Sequence, residues 1–143
     1  MTQSAIGLDV FDRTVHKTYT WIHDVMKALG SEDRHTAYLA MRATLHALRD
    51  QITIGEVAQL GAQLPMLIRG FYYEQWDPTG KPVKIRHRDE FLARIKNELR
   101  SGDPIDPERA ARAVFTVLAQ RIAQGEIEDV KHVLPGEVRA LWP

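Results

Sequence analysis

The chain has no cysteine among its 143 residues, which excludes disulfides, thiol catalysis, iron–sulfur clusters and cysteine-bearing zinc sites. It has no excess of either charge, because nineteen Lys and Arg balance nineteen Asp and Glu. The broad basic footprint of a nucleic-acid or acidic-membrane binder is therefore missing. No window approaches the roughly 20 consecutive apolar residues of a membrane helix. Residues 1–9 lack the basic and then apolar pattern of a secretory signal. These absences together lead to the expectation of a cytoplasmic protein. What is present is an ordinary globular composition, 44% hydrophobic and 27% charged. At this length about two thirds of the unfolded surface can be buried, so the fold requires no cross-link or structural metal.

Self-similarity dominates the pattern. Residues 20–73 overlay residues 90–143 without a gap. Identities include Leu29/Leu99, Ser31/Ser101, Asp33/Asp103, Ala40/Ala110, Arg42/Arg112, Ala43/Ala113, Leu48/Leu118 and Ile52/Ile122. Gly55/Gly125, Glu56/Glu126, Leu64/Leu134, Pro65/Pro135 and Arg69/Arg139 continue the series. Agreement in order over this length reads as a tandem duplication. Between the copies, Asp77, Pro78, Thr79, Gly80, Lys81 and Pro82 favour a turn over a helix. The expected organisation is one domain, 1–143, with a first repeat at 1–76, a linker at 77–88 and a second repeat at 89–143.

Within each copy the apolar spacing is helical. Phe11, Val15, Thr18, Ile22, Val25 and Leu29 recur every three or four residues, as do Tyr38, Met41, Leu45, Leu48 and Ile52. Phe91, Ile95 and Leu99, then Ala111, Phe115, Leu118 and Ile122, repeat both stripes. Thr53 and Glu56 match a capping box, with the Glu expected to reach back to the cap amide, whereas Ala123 lacks the hydroxyl. Pro65 and Pro135 fit the first turn of a final helix, and Asp106-Pro107-Glu108 reads as another helix start. The expected fold is all-α: a four-helix unit, long-long-short-medium, duplicated into one compact bundle with pseudo-two-fold symmetry.

The order Ala43-x-Leu45-x-x-Leu48, Ile52-Thr53-x-Gly55-Glu56, Gln63-Leu64-Pro65 and Arg69-Gly70-x-Tyr72-Tyr73-x-x-Trp76 resembles the bacterial domain of unknown function 2267 family. Phe91-Leu92-x-x-Ile95, Gly125-Glu126-x-x-Asp129-Val130, Leu134-Pro135 and Arg139-Ala140-Leu141-Trp142 are similar to its second half. The resemblance implies an all-helical bacterial domain and carries no assigned activity, so function has to be argued from the residues.

The repeated polar residues come first. Glu56/Glu126 and Arg69/Arg139 can clasp two helices as carboxylate–guanidinium pairs, or the arginines can present planar donors to an anionic ligand. Arg42/Arg112 reads as a solvated or clasping pair. Phe71 and Tyr72 continue an apolar stripe, whereas Tyr73 and Trp76 point elsewhere and are candidates for a partner surface. Trp142 either docks back on the bundle or is covered by a second subunit. The six histidines form no HxxxH or HExxH pair, and Glu128 with His132 reads as a surface pair. No Gly-x-Ser-x-Gly, phosphate loop or Glu-x-x-His motif is present. Lys81, Lys84, Arg86, His87 and Arg88 concentrate positive charge beside the aromatics, but Asp89 and Glu90 follow at once, which favours a solvated, mobile linker over a nucleic-acid site.

The expectation is thus a non-enzymatic helical interaction module, self-associating or docking another protein through Arg69, Tyr73, Trp76, Arg139 and Trp142. The competing reading is a binder of small anions, or an enzyme, in the groove between the repeats. No cofactor or metal is expected.

Overall fold

Helix α1 (Asp9–Leu29) stops where Gly30 takes a left-handed φ of 74° and donates its amide to the Lys27 carbonyl, with Ser31 following onto Met26. Asp33 then opens α2 (Arg34–Gln51) by accepting from the amides of His35 and Thr36. The computed structural model describes residues 8–99 and 105–143, and its regular elements are all helical. Thr53 caps α3 (Ile54–Gln63), and Pro65 precedes α4 (Met66–Tyr73) as its N-cap rather than lying in its first turn. After a helix-free segment, α5 (Arg88–Glu98) leads to α6 (Pro107–Arg121), which starts as expected with Asp106 accepting from the Arg109 amide at 3.0 Å. α7 (Gln124–His132) and α8 (Gly136–Arg139) complete the chain. Of the residues aligned between copies, Ser101 and Asp103 lie outside the described residues, as do the first seven of the expected first unit.

The last helix is one turn of four residues rather than the medium helix expected. From Ala140 onward the chain turns and lays Leu141 and Trp142 on the core. The segment expected as a mobile linker is strapped down: the Val83 amide donates to the Asp50 carbonyl at 2.7 Å, and Ile85 is buried.

Helix α2 is the centre of the assembly, packed on α1, α4, α5 and α6. Every residue from Ala43 to Gln51 is buried, including His46, Arg49 and Asp50. His46 and Arg49 find partners at the end of α4, and Asp50 pairs with Arg49 and Arg94. Arg49 donates to the carbonyls of Tyr72 and Glu74, each at 2.8 Å, and His46 Nε2 meets the Phe71 carbonyl at 2.6 Å. The Arg49 guanidinium at a helix C-terminus also suits its dipole, so α2 both buries and terminates α4.

Candidate functional site

The first twelve residues of α1 contribute nothing to the buried core, which begins at Trp21 and continues with Ile22, Val25 and Leu29. Leu8, Phe11, Val15 and Tyr19 therefore present an apolar stripe to solvent, and Met66 and Leu67 do the same on α4. Between these helices and the start of α2 runs an open groove of about 560 Å³, walled by Val15, Tyr19, Ile22, Tyr38, Leu67 and Phe71. Tyr38 meets Phe71 edge-on at 5.3 Å and closes its floor. Arg34 and His35 supply polarity at one side, with the Arg34 guanidinium 5.3 Å from the Tyr19 ring centre. The size and the apolar lining with few polar groups suit a ligand or a docked side-chain cluster.

The five residues singled out from sequence do not meet at one place. Arg69 Nε donates to the Gly61 carbonyl at 2.8 Å and Nη2 to Leu64 at 2.9 Å. Arg139 repeats this with Lys131 at 2.9 Å and Leu134 at 2.8 Å. Each arginine therefore closes the C-terminal end of the preceding helix. Neither is bonded to Glu56 or Glu126 among the described residues, so the clasp is made through main-chain carbonyls instead of carboxylates. Tyr73 and Trp76 pack on each other at 5.7 Å, half-buried against the core. The Tyr73 ring lies over Gly61, where a Cβ would come within 2.6 Å of the hydroxyl. Trp142 docks back on the bundle.

Glu56 and Glu126 instead face each other where α3 packs on α7. Thr53 accepts from the Glu56 amide at 3.3 Å, but the return bond of the expected capping box is not made. At α7 the Ala123 amide donates to the side chain of Gln63 at 3.2 Å. Both glutamates are thus released from capping. Burial, and then the neighbouring charge of Glu56, push the Glu126 carboxyl above the usual carboxylate range. Below it, Tyr72 is fully buried with its hydroxyl donating to the Val57 carbonyl, and burial raises its pKa far above that of a free phenol.

A second polar cluster joins α2 to α5. His46 Nδ1 meets Glu98 Oε1 at 2.5 Å, and Arg42 reaches Glu74 and Glu98, each at 3.5 Å. Arg94 pairs with Asp50 at 3.0 Å. Arg42 is accordingly a clasp between elements. In the basic stretch, Arg88 pairs with Glu108 at 3.6 Å and donates its amide to Glu137 at 2.8 Å, while His87 also meets Glu137. The Arg88 amide, followed by His87, holds the Glu137 carboxyl below the usual range.

Sequence reasoning passed over Val15, Tyr19, Tyr38 and Leu67 because each also satisfies a helical stripe or a solvent face. It offers Glu56 and Glu126 the arginines as partners, so their approach to each other is not visible there. No helix among the described residues is long and apolar enough to cross a membrane. The profile of a family described as "Uncharacterized conserved protein (DUF2267)" matches residues 18–141. Among curated proteins, none matches.

Proposed function

The chain belongs to that DUF2267 family, and from its own geometry we propose that it is a non-enzymatic helical interaction module, a duplicated four-helix unit whose docking face is the α1–α2–α4 groove. The duplication is supported by how the helices pair. α1 packs on α2 as α5 does on α6, α1 on α6 as α2 does on α5, and α1 on α4 as α5 does on α8. α2 also packs on α6, and α3 on α7, the contacts that such a two-fold would relate to themselves. Buried residues match under the same overlay, among them Trp21/Phe91, Val25/Ile95, Leu48/Leu118, Ile68/Val138 and Tyr72/Trp142. The paired carbonyl bonds of Arg69 and Arg139 agree with it as well.

Against that agreement, one contrast carries the functional reading. Tyr19, Tyr38 and Leu67 in the groove correspond to Asp89, Glu108 and Glu137 in the second copy. There Glu108 pairs with Arg88, and Glu137 is met by His87 and the Arg88 amide. The fold accepts charge at these places, so packing alone does not require them to be apolar in the first copy. An open apolar groove adds exposed hydrophobic surface, which a docking role explains.

The occupant we assign is α1 of a second copy. Leu8, Phe11, Val15 and Tyr19 form the exposed stripe of an amphipathic helix, and Asp9 and Asp12 sit in its first turn. Antiparallel pairing of two α1 helices would set each stripe in the other's groove and bring the acidic turn toward Arg34 and His35. Such a contact is isologous and closes at a dimer. Sedimentation velocity tests it with Tyr19→Asp/Leu67→Glu, which copies the second half's residues onto exposed positions. The expected result is a wild-type dimer and a folded monomeric variant. A monomeric wild type, or a variant that dimerises equally well, overturns the reading.

A further inference from the structure

Glu126 is the acid that the fold leaves least compensated. It is only 8% exposed, and its buried Oε1 receives no N–H or O–H donor from another kind of residue, its polar neighbour being the Glu56 carboxyl. Glu56 Oε2, facing it from α3, is buried and likewise lacks a donor. Asp129 lies one turn further along α7 at the surface, and one oxygen from each of the three carboxylates falls within 4.8 Å of the others. The ion pairs among the described residues use other acids. A buried carboxylate without counter-charge is strongly unfavourable, and two side by side are more so.

The donor set indicates which class of ion this arrangement suits. Three carboxylates with no imidazole or thiolate select hard, oxygen-seeking ions and disfavour zinc or copper. Glu126 and Asp129, three residues apart, share one face of α7, and Glu56 approaches from the facing helix, as carboxylates do in helical bundles that hold ions between helices. The exposed Asp129 provides a way in, and three protein ligands leave positions for water. We infer that Glu56, Glu126 and Asp129 form a binding site for a divalent cation of the Mg²⁺, Ca²⁺ or Mn²⁺ class, tying α3 to α7.

The test uses the full chain stripped with chelator and then dialysed, with Mn²⁺ as the probe. Titration calorimetry and the loss of the free Mn²⁺ paramagnetic signal report binding, and thermal unfolding is followed with Mn²⁺, Ca²⁺ and Mg²⁺. Saturable binding at a single site is expected, together with a Tm that climbs with ion concentration. Asp129→Asn, a surface change that leaves the helices intact, should weaken Mn²⁺ binding by about tenfold or more. Glu126→Gln should abolish it. Failure of all three ions to bind or raise the Tm overturns the inference, as does an Asp129→Asn chain that binds like wild type. A wild type that ignores these ions while Glu126→Gln stabilises the chain would identify a proton-sharing pair and overturn it equally.

Discussion

Trp142 lies flat on Phe115, ring centres 4.1 Å apart and planes within 6°, and Phe115 in turn meets Phe91 at 5.9 Å. The second-last residue of the chain is thus a core residue, 6% exposed. Trp142→Ala removes the largest ring from this stack and should destabilise the fold by about 3–5 kcal/mol. Urea unfolding followed by circular dichroism measures it. A loss under about 1 kcal/mol would mean that the ring is not packed in solution.

Arg69 and Arg139 predict a pair of similar, separable effects. Each holds two or more carbonyls at a helix end, so alanine at either should cost roughly 1–2 kcal/mol through the lost bonds. Lysine should recover little, since a point charge cannot copy the Nε and Nη2 fork. The comparison of the four variants by thermal unfolding would go against this account if lysine behaved like arginine.

Gly61 is required by a neighbour rather than by its own backbone. A Cβ there would meet the Tyr73 hydroxyl at 2.6 Å and the ring at 3.0 Å. Gly61→Ala should destabilise the chain by about 1–3 kcal/mol by overpacking. In the Tyr73→Ala background the same substitution should be nearly neutral, giving a coupling of about 1–2 kcal/mol in the double-mutant cycle. Additive effects would contradict the contact.

Glu126 gives the fold a pH dependence of definite sign. Its folded pKa is raised above the ordinary value of 4.5, by burial first and by Glu56 and Asp129 next. In the window above that ordinary value the folded chain binds more protons at this group than the unfolded chain does. Its contribution is therefore fully present below the unfolded pKa and lost as pH rises through the folded one. Glu126→Gln should remove that decline. Unfolding free energies measured from pH 4 to 8 with chelator present should show a flatter profile for the variant, and parallel profiles would refute the assignment.

The helices were legible because apolar periodicity and end signals agreed. Thr53 and Asp106 both cap where expected, and Tyr72 lies on the buried face that the stripe required. What escaped was partner choice. From sequence, Glu56 and Arg69 are an attractive pair of opposite charges, yet Arg69 turns to nearby carbonyls and Glu56 to Glu126. Local sequence offers each group several partners, and packing of α3 on α7 decides among them. The groove escaped for another reason. Recurring residues stand out in the sequence, whereas on the proposed reading Tyr19/Asp89, Tyr38/Glu108 and Leu67/Glu137 count because they differ. On the proposed duplication, repetition marks what both halves need to fold, and difference marks where one half is free to do something else.

The enclosure of α2 by four helices sets the pace at which the molecule can open. Its amides from Ala43 to Gln51 have no solvent-facing side and no end that frays alone, since Arg49 and His46 are tied to the close of α4. Hydrogen exchange there requires the whole bundle to come apart, so the slowest protons should report global stability. The opening turns of α1, with nothing buried before Trp21, should exchange by local fraying many times faster. The chain thus carries a rigid spine beside an N-terminal helix whose opening turns hold no part of the core.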